Sequence, residues 1–167
     1  ATVPHHPDLV RPEDMPEDRY EANDEPFDAT HLLDLQGTLE LQQLTIHSDA
    51  GDGDQDWFRF ALPPGAVDGH FADICFLHEA GDLNLYLFDE NVNPVDQSIG
   101  VTGYEQVSFA GLPAGEYYLM IDGYAGASNY YELYLRGPEV IVPDSYEGQE
   151  LFRPVTVREN IYPGIRL

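Results

Sequence analysis

The chain has 167 residues, is 43% hydrophobic and carries a formal net charge of −24. All seven of its basic residues are arginine, and it has no lysine. That length and apolar content build one domain with a sizeable core and exclude a disordered acidic chain. The charge repels nucleic acid and anionic lipid surfaces, and it attracts cations, calcium above all, because carboxylates are hard oxygen ligands. No apolar run is long enough to cross a membrane, so no membrane insertion is expected. A single cysteine, Cys75, rules out an internal disulfide. The chain starts at Ala1 with no apolar leader, as expected of a mature form after leader removal or of an excised fragment.

Residues 1–16 are rich in proline and lack a hydrophobic period, which predicts an extended N-terminal arm. "FDATHLLDL" at 27–35 is compatible with a short helical turn. From residue 37 the pattern is that of strands. "GTLELQQLTIHS" places Leu39, Leu41, Leu44 and Ile46 in near-alternation, and the slip between Leu41 and Leu44 predicts a bulge. "DWFRFAL" and "GHFADICFLHE" alternate, the latter on Phe71, Ile74 and Phe76. In "DLNLYLFD", Leu83, Leu85 and Leu87 share one face, with Asn84, Tyr86 and Phe88 on the other. Turn signals follow at "DENVNP" (89–94), "GLPAGE" (111–116) and "GYAGASN" (123–129), with "YEQVSFA", "EYYLMIDG" and "YYELYLRG" between them. These features predict an all-β protein, a β-sandwich or jelly roll of about eight short antiparallel strands over residues 17–137. Residues 138–167 form a C-terminal extension with two strand-like runs, "EVIV" and "PVTV". Arm and tail are expected to dock, on their own domain or on a neighbouring copy.

The acidic stretch "GDGDQDWFRF" (51–60) packs Asp52, Asp54 and Asp56 together ahead of aromatic residues. An EF-hand loop needs Gly at position 6 and Glu at position 12; counted from Asp52 these positions are Trp57 and Pro63, so that motif fails. A solvated acidic turn and a calcium loop of another type both remain open on these residues. A second stretch, "DRYEANDE" (18–25), supplies three oxygen side chains, Glu21, Asn23 and Asp24.

Five blocks, "YEAND" (20–24), "DQDWFRF" (54–60), "DLNLYLFD" (82–89), "LPAGEYYLMIDGY" (112–124) and "YELYL" (131–135), occur in an order that resembles the bacterial pre-peptidase C-terminal domain. This is the same broad family as clostridial collagenase collagen-binding domains. The resemblance implies a β-sandwich with Ca2+ near its N-terminal strand. It implies that Glu21, Asn23, Asp24 and Asp56 are ligands, with Asp54 contributing through its side chain or a water. Ala22 stands where the family has Pro, and Arg19 stands where the collagenase version has a further acid. One ion is therefore expected. In collagen-binding relatives, surface tyrosines on one sheet contact the polymer; Tyr117, Tyr124, Tyr130 and Tyr134 are the corresponding candidates here, though tyrosine also suits half-buried strands.

Phe58 and Phe60 read as core, and Cys75 as a buried small hydrophobe. His5 and His6, adjacent on an extended chain, point to opposite sides and do not form a metal pair. The chain shows no nucleophile elbow, zinc triad or phosphate loop. The expected function is that of a non-catalytic, calcium-binding, secreted or cell-surface module with an accessory, adhesive or targeting role. The alternative is a structural subunit that builds an extracellular filament or surface layer through its arm and tail. Expected partners are calcium and either copies of itself or an extracellular polymer. Self-repulsion at −24 should oppose compaction, so stability in the absence of calcium should rise with monovalent salt, as chemical denaturation at low and molar NaCl would measure. A flat or falling response would assign charge compensation to bound cations instead of screening.

Overall fold

The computed structural model describes residues 15–48 and 53–140. Nine strands form two packed sheets: β1 (Thr30–Asp34), β2 (Thr38–Ile46), β3 (Gln55–Leu62), β4 (Phe71–Phe76), β5 (Leu83–Asp89), β6 (Pro94–Ser98), β7 (Tyr104–Ser108), β8 (Gly115–Gly123) and β9 (Asn129–Arg136). One sheet has the order β1-β3-β8-β5-β6 and the other β2-β9-β4-β7. The expected β-sandwich is therefore present, with two amendments. There are nine described strands instead of about eight, and β1 pairs with β3 in parallel. The parallel pair arises because β2, between them in sequence, lies in the other sheet, so the chain re-enters the first sheet in its original direction. The helical turn expected over 27–35 shrinks to a 3-10 turn at Pro26–Asp28, and the rest is β1. That strand has an irregular register between His31 and Asp34, and Leu33 has a φ of 64°, which explains why no alternation announces it.

Alternation fills the space between the sheets. Phe58, Phe60 and Leu62 of β3 and Leu83, Leu85 and Leu87 of β5 face Ile74 and Phe76 of β4 and Leu133 and Leu135 of β9, all buried. The ring of Phe60 packs 5.3 Å from that of Phe109 and 6.1 Å from that of Tyr117. The bulge expected in β2 is present. Opposite β9, Leu41 pairs with Leu133 and Leu44 with Tyr131, with Gln43 at a φ of 60°. One extra residue of β2 is absorbed there, so both leucines point inward despite their odd spacing.

In β4 the phase differs from the expectation for two residues. Phe71 and Cys75 lie on the outer face with Asp73, opposite in parity to the buried Ala72, Ile74 and Phe76. Phe71 packs 5.9 Å from the Tyr134 ring, and Cys75 is partly exposed instead of buried. Chemical denaturation should separate the two faces. Ile74→Ala, which opens a cavity in the core, should cost about 2–5 kcal/mol, and Phe71→Ala less than half of that. Equal costs would place Phe71 in the core.

Candidate metal centre

Asp56 continues the inward row of Phe58, Phe60 and Leu62 on β3, so strand parity alone turns its carboxylate into the interior. It is fully buried. Across the gap between the sheets, the Tyr131 hydroxyl of β9 donates a short hydrogen bond to Asp56 Oδ2. Asp56 Oδ1 has no hydrogen-bond partner.

Residues 15–25 run over this end of the sandwich and touch both sheets. Asp18 accepts from the Tyr20 backbone N–H at 2.8 Å and from that of Thr45, on β2, at 2.9 Å. The Tyr20 ring stands edge-on to Phe58, 5.8 Å away. Asn23 is bound twice to Trp57 of β3: the Trp57 N–H donates to the Asn23 carbonyl at 2.9 Å, and Asn23 Nδ2 donates to the Trp57 carbonyl at 3.2 Å. The Glu21–Ala22 peptide between these anchors is cis.

This path brings carboxylates together. Oxygens of Asp18, Glu21 and Asp56 lie within 4.8 Å of one another, and so do oxygens of Glu21, Asp24 and Asp54. Glu21 belongs to both triads. A cleft of about 460 Å³, lined among others by Glu17, Glu21, Asp24 and Asp54, opens the second triad to solvent. Asp54 is fixed by the His47 backbone N–H, 2.5 Å from its Oδ2. Within this cluster, two acceptors besides Asp56 Oδ1 are buried without a hydrogen-bond partner, Glu21 Oε1 and Asn23 Oδ1. Buried acceptors left unmatched are costly and call for an explanation, such as an ion.

The electrostatics agree with the geometry. Burial pushes the Glu21 carboxyl up to about 7, with the charges of Asp54 and Asp18 adding to it. Burial raises Asp54 to about 6 against the favourable His47 N–H. Asp56 rises to about 9, again through burial, although the Tyr131 hydroxyl works in the opposite direction. Each carboxyl therefore resists ionisation unless positive charge is supplied. Clusters of acidic residues that could hold a metal ion are thus present, made of oxygen donors only, the donor type suited to a hard cation.

Of the five expected ligands, Glu21, Asp24, Asp54 and Asp56 fall into these triads, and Asn23 is buried on the same segment with its side-chain oxygen unmatched. Asp18 is the member that sequence reasoning missed. Arg19 occupied attention there, yet its guanidinium turns away, donating to the Gln42 carbonyl at 2.9 Å and lying over the Tyr20 ring. The acid is one residue earlier than the motif position, which is the signal that could have found it.

The four candidate tyrosines are not brought together. Tyr117 is a correction: it is buried against Phe60, with its hydroxyl donating to the Pro113 carbonyl at 2.8 Å, because it falls on the inward face of β8. Tyr130 and Tyr134 share the outer face of β9 in the other sheet, both half-buried. Tyr124 is exposed on the 3-10 turn Tyr124–Gly126. Near Tyr134, the outer face of that sheet carries Tyr104, whose hydroxyl donates to Asp73 at 3.0 Å.

No family model matches the chain, and no curated protein matches it. Among solved structures, it is similar to the pre-peptidase C-terminal domain of collagenase from Bacillus anthracis, at 19% identity and a TM-score of 0.43, over 63% of this chain and 91% of that one. It is also similar to PliG of Aeromonas hydrophila, a periplasmic lysozyme inhibitor of g-type lysozyme, at 14% identity and a TM-score of 0.37, over 65% of this chain and 96% of that one. The all-β sandwich itself stands on the two packed sheets.

Proposed function

We propose that the chain is a non-catalytic accessory module of the cell exterior whose N-terminal segment is clamped onto the sandwich by calcium. The observation that carries this reading is the pair of carboxylate triads joined through Glu21, together with the unmatched buried oxygens of Glu21, Asn23 and Asp56. Glu21, Asn23, Asp24, Asp54 and Asp56, with Asp18, would hold the ion, which would supply the positive charge that these groups lack. Calcium takes six to eight oxygens in flexible geometry, a better match to carboxylates on a bent segment than the strict octahedron of magnesium. Extracellular modules bind calcium with dissociation constants of about 10⁻⁴–10⁻³ M, so such a clamp closes outside the cell. The residues themselves perform a mechanical task. Asp24 and Glu21 bring the segment, Asp54 and Asp56 bring β3, and the ion would join them. Secretion and attachment follow from this reading as the setting in which a calcium-rigidified sandwich serves a larger protein or a surface.

Calorimetry on the full chain tests it. The melting temperature should rise with calcium concentration, with a gain of about 2.7 kcal/mol at a hundredfold excess over the dissociation constant. Glu21→Gln, which removes the charge common to both triads, should abolish most of that gain. An unchanged melting curve between EDTA and millimolar calcium would end the proposal.

The pH response has opposite signs in the two states. Glu21 at about 7, Asp54 at about 6 and Asp56 at about 9 all titrate above their ordinary range near 4. In the metal-free protein, the folded state then binds more protons than the unfolded one between about pH 4 and pH 9. Its stability is greatest at the acidic end of that window and is lost as pH rises through it. With saturating calcium the ligands must be deprotonated, so stability should instead fall on acidification. Urea denaturation at pH 5 and pH 8, with EDTA and with calcium, should show this inversion; parallel profiles would contradict it.

A further inference from the structure

The outer side of an antiparallel sheet that faces water is usually polar. That of the β1-β3-β8-β5-β6 sheet is not. Register sets Met120 of β8 between Trp57 of β3 and Tyr86 of β5, and in the next row Tyr118 lies opposite Phe88. The alternate residues Leu85, Leu87, Leu119 and Ile121 fill the core, so these rings belong to the outward face. Trp57 packs 5.1 Å from Phe88 and 6.3 Å from Tyr118, and Tyr86 stacks on Phe88 at an interplanar angle of 27°. Beside them runs a groove of about 620 Å³, floored by Tyr86, Phe88 and Met120, walled by Val95 and rimmed by Gln97 and Asp122. Val95 is 37% exposed. The edge of β6 is engaged elsewhere: Asp96 accepts from the Ser108 backbone N–H at 2.9 Å and Ser98 donates to Glu105, both on β7. An occupant of the groove therefore meets the side chains of the sheet face and adds no strand.

Charge decides what fits there. Asp122 Oδ1 accepts from Asn84 Nδ2 at 3.1 Å, yet burial still raises the Asp122 carboxyl above its ordinary range. Burial also raises the Tyr86 hydroxyl, and the charge of Asp122 adds to that, so carboxyl and ring are electrostatic neighbours. The arginines among the described residues lie elsewhere. Arg19 stands over Tyr20, Arg59 pairs with Glu116 at 2.7 Å, and Arg136 ends β9 in the other sheet. An aromatic floor beside a carboxylate recognises a cation on an apolar stem. Arginine combines a planar charge that stacks on rings with a fork of donors that matches a carboxylate. A second copy, with the same net charge of −24, is repelled, and so is an anionic polymer. A neutral sugar would stack on the rings but leave Asp122 uncompensated, whereas a guanidinium neutralises it.

We infer that this groove is a docking surface for a cationic segment of a partner protein, which lays an arginine over the Tyr86–Phe88 floor with its guanidinium against Asp122 and an apolar neighbour against Val95. The surface is separate from the carboxylate cluster and needs no ion there.

Titration of the full-length protein with the end-blocked tripeptide leucine–arginine–leucine tests this, read by Trp57 fluorescence and by the amide NMR shifts of β5 and β8. Saturable binding is expected. Asp122→Asn should weaken it about fivefold, the loss of one modest charge pair. Tyr86→Leu, which keeps the apolar contact and removes the ring, should weaken it about threefold. Near-UV dichroism should remain that of a folded sandwich in both variants. The same peptide with citrulline in place of arginine keeps the shape without the charge and should bind more weakly than either variant binds the parent peptide. Equal binding of the citrulline peptide would overturn the inference, as would affinities unchanged by both substitutions, which would place the peptide elsewhere on the acidic surface. A response to a neutral glucan hexasaccharide but not to the arginine peptide would give the groove to a glycan instead. A dimer in sedimentation that Asp122→Asn strengthens would give it to a second copy.

Discussion

A carboxylate inside the sandwich sets the terms for everything at its N-terminal end. Asp56 occupies a position that strand parity assigns to the core, next in line after Phe58. Burying an ionised carboxyl without a partner costs several kcal/mol, far more than a single neutral hydrogen bond restores. The Tyr131 hydroxyl meets one of its oxygens and ties the two sheets together in doing so. The other oxygen is left to the segment that passes overhead. That segment answers with more oxygen and no positive charge, from Asp18, Glu21 and Asp24. Arg19, the residue next to Asp18, turns outward onto Tyr20. The arrangement makes sense as a set of oxygen donors that could hold a cation, which the proposed calcium would supply.

The way the segment is anchored gives that site its shape. Asp18 is held by β2 of one sheet and Asn23 by β3 of the other, so Glu21, between them, is suspended over the seam. The β2 bulge contributes at a distance. By absorbing the spacing between Leu41 and Leu44, it returns the strand to phase, and Thr45 comes to offer its N–H to Asp18 while Ile46 stays in the core. A regular strand over the same residues would reverse the facing of every side chain beyond Leu41. A local irregularity in one sheet thus positions a ligand candidate on the segment above both.

Much of this could be seen in the residues themselves. Strict alternation in "DLNLYLFD" identified an inward row, because a strand buried on one face leaves that mark. The broken alternation of "LELQQL" identified the bulge for the same reason. The acid-rich segments were recognisable as partners because they resemble one motif in two pieces. Asp18 was hidden since a ligand one position away from the motif depends on how the chain bends, which composition does not encode. Tyr117 was mistaken for a surface residue because "EYYLMIDG" is large on both faces, so parity cannot be decided without the neighbouring strands. Phe71 and Cys75 were misassigned in the same way: "FADICF" is apolar at both parities, and only the pairing of Ala72 with Leu135 settles which set is inside. β1, five residues with a positive φ in its middle, leaves no periodic signal at all.

The anchoring of the two ends of the sandwich has a mechanical consequence. Incoming chain is fastened at Thr45, where its hydroxyl donates to the Pro16 carbonyl, and outgoing chain at Gly37, which exchanges hydrogen bonds with Gly137 and Pro138. Thr45 lies in β2 and Gly37 immediately precedes it, so the two points are eight residues apart, roughly 23 Å along the strand once the bulge is allowed for. A pull between the two flanks therefore acts lengthwise, sliding β9 along β2 instead of peeling it away. In that geometry the ladder from Thr38–Arg136 to Ile46–Asn129 is loaded all at once, and its bonds share the force. Under such a pull the β2–β9 ladder would be loaded in shear, with the carboxylate cluster near its Thr45 end.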